Sequence, residues 1–264
     1  MATHVFSICA YKESPYLKEC IESLISQSVA SEIIICTSTP CDYISDLARS
    51  YGICLYVRQG RSGLREDWNF AVETAVKEKG AELVTVAHQD DVYDKNYAKA
   101  LLNAYSFFPD MSVFCTACNN IDSEGKPIPE TAERIKRILR LPLRLRRLSD
   151  RRFIKRLVIS FGNSIVCPSC SYNIPVTGKP IFRNDYSFVT DWDALIRLSD
   201  APGRFVCIEK PLISYRIHQG AATKANILNH NREKEEGEMY RKLWPGFVSE
   251  FLMRFYKLSY RAYD

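Results

Sequence analysis

In the run Glu82-Leu83-Val84-Thr85-Val86-Ala87-His88-Gln89-Asp90-Asp91, an apolar segment ends abruptly in two adjacent carboxylates. Residues 83–87 have the length and composition of a buried strand. Aspartate pairs are depleted in strands, so the strand must stop at Asp90. In an open α/β sheet the ligand crevice lies just outside such carboxyl ends. Hard oxygen donors there suit Mg²⁺ or Mn²⁺ carrying substrate phosphates. A polar turn leading into the next helix would use the same residues, so the rest of the chain has to arbitrate.

Around this run, strand and helix signals alternate. Residues 5–10, 32–36 and 54–57 are apolar and β-branched, and each precedes a helical pattern. The first helix starts near Ser14-Pro15, with Ser14 as cap and proline in the first turn. Residues 42–51, 66–78 and 96–107 give three more helices, with Gly80 just beyond the one over 66–78. Strict alternation predicts a mostly parallel sheet flanked by helices, an α/β fold of Rossmann-like type. Residues 119–129 read as loop. Beyond them the pattern loosens: helix over 133–161 broken at Pro142, short strands at 164–167 and 171–174, a helix over 189–199 with Thr190 as cap, a strand at 205–208, and helices over 224–243 and 247–260.

The chain has 264 residues, 46% of them hydrophobic and 25% charged, enough for one large core. No apolar run reaches the roughly 18 residues of a membrane span. The start, Met1-Ala2-Thr3-His4, has no basic segment or cleavage site, which predicts a cytoplasmic location. Ten cysteines in that compartment should be reduced thiols. The pairs Cys115/Cys118 and Cys167/Cys170 have zinc or redox spacing, but Cys115 lies in an apolar run and core packing is the favoured reading. The net charge of +5 is concentrated between Arg134 and Arg156, where Asp150 is the only acid. Such a segment attracts phosphates, an anionic membrane or nucleic acid, or forms a solvated face.

The order of motifs resembles the family-2 glycosyltransferases of GT-A fold. Phe6-Ser7-Ile8-Cys9-Ala10-Tyr11-Lys12-Glu13, followed by the helix over 16–24, is similar to the family's opening strand, loop and helix. Leu64-Arg65-Glu66-Asp67-Trp68-Asn69 is similar to a wall of the nucleotide-sugar site. His88-Gln89-Asp90-Asp91 stands in the place of the metal-binding Asp-x-Asp motif. Thr190-Asp191-Trp192-Asp193 resembles the acidic motif that holds the catalytic base, and Tyr215-Arg216-Ile217-His218 a late motif that reaches metal and pyrophosphate. The resemblance spans residues 4 to 223.

It implies a GT-A domain over 1–223, its donor half about 1–118 and its acceptor half about 119–223, with the basic helical insert 133–161 and a helical C-terminal extension, 224–264. It implies a Mn²⁺ or Mg²⁺ ion held by Asp90 and His218. Ala10, Tyr11, Glu13, Ser38, Arg65, Trp68, Asn69, Gln89, Asp91 and Arg216 would contact a nucleotide-sugar donor, most often UDP-linked. Asp191 would be the general base of an inverting single displacement, worth typically 10²–10⁴-fold. Asp193 is its rival; positions two apart on a helix do not share a face. The acceptor would be a glycan or lipid-linked hydroxyl in bacterial cell-surface polysaccharide assembly, with residues 134–156 against the inner face of the membrane and no nucleic acid involved. Two departures stand out. His88 replaces the first aspartate of Asp-x-Asp, and the second strand ends in Cys36-Thr37-Ser38-Thr39-Pro40 rather than an acidic pair, so a hydroxyl such as that of Ser38 would meet the base. A nucleotidyl or phosphoryl transferase on a similar sheet would use Asp90 and Asp91 without Asp191. A basic nucleic-acid binder would leave the motifs unused.

Overall fold

The computed structural model describes residues 2–129, 131–218 and 231–258. Its N-terminal half alternates β1 (His4–Ala10), α1 (Leu17–Ile25), β2 (Glu32–Thr37), α2 (Asp42–Ser50), β3 (Cys54–Val57), α3 (Leu64–Lys79) and β4 (Leu83–His88). Strands β3, β2, β1 and β4 are neighbours and all parallel, with Ser7 of β1 level with Ile34 and Val86. Alternate side chains of a strand face opposite sides of a sheet. Val5, Val84 and Val86 therefore pack on Trp68, Ala71, Val72 and Ala75 of α3. Phe6, Ile8 and Ala87 pack on Leu17, Ile21 and Leu24 of α1 on the other side. Gly80 ends α3 in the left-handed region at φ 63°, where a glycine carries no steric penalty.

The rest of the chain continues through β5 (Val92–Tyr93), α4 (Tyr97–Phe107), β6 (Met111–Ile121), α5 (Thr131–Arg140), α6 (Arg152–Ile159), β7 (Ser171–Asn173), α7 (Ile174–Thr177), α8 (Thr190–Asp200), β8 (Arg204–Arg216), α9 (Asn231–Leu243) and α10 (Gly246–Leu258). The eight-stranded sheet has the order β3-β2-β1-β4-β7-β6-β8-β5. Short β7 runs antiparallel between β4 and β6, β8 is parallel to β6, and β5 closes the edge antiparallel to β8. The sheet is mostly parallel, as expected, with β3, β2, β1 and β4 parallel throughout and the short β7 and β5 set antiparallel.

Several elements differ from the sequence reading. The expected strand at 164–167 is a loop entering a 3-10 turn at Cys167–Ser169; Pro168 supplies no N–H for a ladder. The expected loop at 119 is still strand, because β6 extends to Ile121 along a β8 far longer than 205–208. Their register shifts around Ala117, opposite Pro211, another residue without a ladder donor. The expected helix over 224–243 is described from Asn231, and the part over 224–230 lies outside the described residues, as does the end of the tail beyond 258. Helix α1 starts at Leu17, leaving Ser14 in the loop before it. All ten cysteines are free; Cys115, Cys118, Cys167 and Cys170 are buried in the core, where desolvation raises the Cys118, Cys167 and Cys170 thiols. Among the described residues no three His, Cys, Asp or Glu side chains are grouped to hold a metal ion.

Candidate active site

The carboxyl ends of β1, β2 and β4 are laced together. Gln89, just past β4, accepts from the Tyr11 N–H at 2.9 Å and donates its amide to the Tyr11 carbonyl at 3.0 Å, so the loop after β1 is fixed to the loop after β4. Lys12 adopts φ 53°, uncommon for a residue with a side chain, and its N–H donates to Thr39 Oγ1 at 2.6 Å. Ala10 is buried, whereas Tyr11 and Glu13 are exposed beside this loop.

Asp90 is the part-exposed member of the carboxylate pair. Its Oδ1 accepts from the Ser14 hydroxyl at 2.9 Å, and its Oδ2 lies 3.3 Å from His218 Nε2. The His218 ring rests against Tyr16, centroids 4.9 Å apart. Asp91 points the other way and is buried. Its Oδ1 accepts the Arg216 backbone N–H at 2.9 Å, its Oδ2 has no partner, and burial pushes its pKa up to about 8. Arg216 is itself buried. It donates Nε to the Asp90 carbonyl at 2.9 Å and another guanidinium N–H to the Asp122 carbonyl at 3.1 Å, pairs with Glu19, and covers the Tyr16 ring. Asp90 and His218 therefore converge on one point, while Asp91 and Arg216 hold together the elements that present them.

His88 ends β4 with its ring stacked on Trp68, centroids 5.2 Å apart. Burial lowers its pKa to about 4, and its Nε2 is buried with no partner. Trp68 also packs edge-on against Phe182. Asn69 donates to the Phe182 carbonyl at 2.6 Å and accepts from the Phe182 N–H at 3.1 Å, which ties α3 to the loop ahead of α8. Arg65 is part-exposed and pairs with Glu66 and Asp185. Ser38 donates to Asp67 Oδ2 at 3.0 Å. Asp67 also accepts from Arg58 Nε at 2.8 Å, the Ser62 hydroxyl at 2.8 Å and the Gly63 N–H at 3.2 Å. Asp67 and Ser14 are residues that sequence reasoning did not single out for this site. An acidic residue in the first turn of α3 and a serine before α1 both read locally as helix-start chemistry.

Asp191 lies in the first turn of α8, half-buried. Desolvation is the main influence on it and raises its pKa to about 6. Asn163 donates to its Oδ2 at 2.7 Å, and Lys136 of α5 acts on it electrostatically. Burial, with smaller contributions from Asp191 and Asp91, raises the Cys167 thiol of the 3-10 turn. Asp193 is buried and bonded to Asn184 and Lys242. Thr190 is inside the helix with its hydroxyl on the Tyr186 carbonyl, so it is not the cap. The loop entering α8 is instead held from α9: Glu235 accepts from the Ser187 N–H and hydroxyl at 2.9 and 2.8 Å and from the Phe188 and Val189 N–H groups at 2.8 and 3.3 Å.

The basic insert is sorted by the fold. Arg140 and Lys155 are buried: Arg140 pairs with Glu133, and Lys155 donates to the carbonyls of Ala201 and Gly203 at 2.6 and 2.8 Å. Leu143 is buried too, whereas Leu141, Leu145 and Leu148 are exposed.

Comparison with known proteins bears on the fold and the family. No curated protein sequence matches the chain. Staphylococcal TarS (S. aureus TarS 1-349 in complex with UDP-GlcNAc) superimposes with a TM-score of 0.61 at 13% identity, over 95% of this chain and 70% of that one. The mannosyltransferase PcManGT from Pyrobaculum calidifontis, in complex with GDP-Man and Mn²⁺, gives a TM-score of 0.54 at 11% identity, over 90% of this chain and 63% of that one. At these identities the likeness is one of fold, and it is the GT-A fold. The model of glycosyl transferase family 2 matches residues 6–173, well over half of the sequence, and with it the chain belongs to that family and is a glycosyltransferase.

Proposed function

We propose that the protein is a metal-dependent, inverting glycosyltransferase that moves a sugar from a nucleotide-sugar donor, UDP-linked, to a hydroxyl of a glycan or lipid-linked acceptor. The observation that carries this reading is the carboxylate–imidazole pair of Asp90 and His218 at the mouth of the sheet. A carboxylate and a neutral imidazole are a donor set that Mn²⁺ accepts, and Mg²⁺ would rely more on Asp90, with the donor's own phosphates completing the shell. The ion, when bound, would neutralise charge on the departing diphosphate. The solved relatives bound to UDP-GlcNAc, or to GDP-Man and Mn²⁺, support a donor and a cation of these classes.

The chain's own groups supply the rest. The Tyr11–Gln89 tie and the Ser38–Asp67 contact shape the floor on which base and ribose would rest. Trp68 and His88 form an aromatic wall beside Asp90. Asp191 takes the acceptor's proton as its oxygen attacks the anomeric carbon. Its raised pKa leaves it ionised, yet more basic than an ordinary carboxylate, at neutral pH. A base facing the departing diphosphate gives inversion. Asp193, held by Lys242 and Asn184, is less suited to that role. We place the enzyme at the cytoplasmic face of a bacterial membrane, in surface polysaccharide assembly; among the described residues no helix is long and apolar enough to cross a membrane.

The test is donor hydrolysis across a panel of nucleotide sugars with and without Mn²⁺, followed by proton NMR of the product anomer. Activity confined to metal-loaded enzyme, lost in Asp90→Ala and giving the inverted anomer, supports the reading. Hydrolysis unchanged in Asp90→Ala discards the metal assignment, and turnover that survives Asp191→Asn with the true acceptor favours a nucleotidyl or phosphoryl transferase.

A further inference from the structure

Helix α5 sits with its charged side inward. Glu133 and Arg140 are almost wholly buried, while Ile135 and Ile138 are 55% and 64% exposed. Glu133, Lys136, Arg137 and Arg140 follow helical spacing along the inner face, where Arg137 and Arg140 also approach Glu209. The apolar face therefore looks out. It continues past Arg140 through Leu141, Leu145 and Leu148, each more than two-fifths exposed, to Phe153 at 73%. Single exposed apolar residues are ordinary, but a contiguous set marks an interaction surface.

Cations fringe the same stretch. Arg134, Arg144, Arg146 and Arg147 are exposed, and among the described residues none of them is in an ion pair. Arg151 and Arg152 are exposed as well, paired with Asp150 and Asp200. The two acids of the segment are thus accounted for: Glu133 is buried against Arg140, and Asp150 lies beside Arg151. A surface of aliphatic and phenyl groups bordered by exposed arginines complements a layer that is anionic at its face and apolar beneath.

We propose that this face, from α5 through the turn at Leu141–Arg144 to the start of α6, docks the protein on an anionic lipid membrane, with Ile135 and Ile138 entering the headgroup region. The surface deepens the transferase reading, since it would hold Asp191 near a lipid-borne acceptor: Lys136 of the same helix acts on that carboxylate. Arg140, Leu143 and Lys155 belong to the protein interior and take no part.

The full-length chain is sedimented with phosphatidylcholine vesicles, with and without phosphatidylglycerol, at low and high salt. Binding should require phosphatidylglycerol and fall as salt rises. Each arginine near such a surface is worth about a fivefold change in partitioning, so R146Q/R147Q should bind roughly twentyfold more weakly. Ile135→Ser/Ile138→Ser should weaken it at least tenfold by order of magnitude. All four side chains are exposed, so the variants should keep the parent's melting temperature and its donor hydrolysis in solution. Absence of vesicle binding, or binding equal in parent and variants, overturns the proposal. So does a dimer that Ile135→Ser/Ile138→Ser dissolves in a chain that ignores vesicles, which would assign the face to a second copy. Vesicle binding in an enzyme without donor hydrolysis leaves the surface standing and removes the transferase reading; the reverse result removes the surface alone.

Discussion

The Arg216 backbone N–H donates to Asp91 Oδ1 at 2.9 Å, and this one bond fastens the end of β8 to the turn after β4. It separates the functions of two neighbouring carboxylates. Asp91 is buried, and burial pushes its pKa up to about 8, which favours the protonated form, whereas Asp90 faces His218. Asparagine resembles a protonated aspartate in shape and charge. Asp91→Asn should keep most of the stability, while Asp91→Ala, which strands a buried donor, should lose about 1–3 kcal/mol in urea denaturation. Equal losses in both variants would show that Asp91 is charged in the native state.

As the proposed general base, Asp191 sets the expected pH dependence of turnover. A general base works only when deprotonated, and burial raises this carboxyl to about 6. In pH profiles of kcat/KM measured at saturating metal, the rate should rise through an apparent pKa near 6 and level off above it. Asp191→Asn should lower the plateau by about 10²–10⁴-fold. Removal of the Asn163 donor in Asn163→Ala should move the midpoint upward, because that bond favours the ionised carboxylate.

Glu235 is a positioning residue on α9. Its carboxylate takes up donors from Ser187, Phe188 and Val189 ahead of α8, the helix that carries Asp191. Loss of hydrogen bonds to a charged group costs about 1.5–3 kcal/mol. Glu235→Ala should show that drop in thermal unfolding, together with a fall in kcat and an unchanged KM for the donor, since the residues proposed to contact the donor lie on other elements. A change in donor KM with kcat intact would place Glu235 elsewhere in the cycle.

The ion pair of Glu133 and Arg140 is buried on both sides. Breaking such a pair from one side leaves an uncompensated charge and costs about 3–5 kcal/mol, whereas replacing both partners by apolar groups can be close to neutral. Arg140→Met should therefore be strongly destabilised in guanidinium denaturation, and Glu133→Leu/Arg140→Met should regain much of the loss. An additive double variant would show that the pair is not coupled.

His4 gives an acid limit to stability. It is buried between Ser31 Oγ and Thr85 Oγ1, each at 2.8 Å, and desolvation lowers its pKa from 6.5 to about 3. A group whose folded pKa is depressed contributes stability that is complete above its unfolded value and is lost as pH falls. Denaturation midpoints should thus decline below pH 6.5, and more shallowly in His4→Gln. An identical slope in parent and variant would remove His4 from the account.

The N-terminal half was legible because each of its βα units is local: β1 to β4 and the helices between them follow from apolar runs punctuated by Ser14-Pro15 and Gly80. The C-terminal half depends on pairings between distant segments. Nothing near Ser171-Tyr172-Asn173 announces that it will lie antiparallel between β4 and β6, and nothing near Ala117 announces a bulge opposite Pro211. Side-chain roles failed where a local explanation was available. Ser14 reads as a cap but donates to Asp90, and Thr190 reads as a cap although Glu235 holds the loop entering α8 from α9. In α5 the usual rule that apolar faces point inward gives the wrong orientation, since Arg140 and Glu133 satisfy one another inside.

The clasp between Glu235 and the loop ahead of α8 has a temporal corollary. A chain emerging amino-end first can assemble its parallel strands while the segment bearing Glu235 is still inside the ribosome. Until that segment is released, the Ser187, Phe188 and Val189 N–H groups have only water in place of this carboxylate, so newly made protein should complete its parallel strands first and the entry to α8 last.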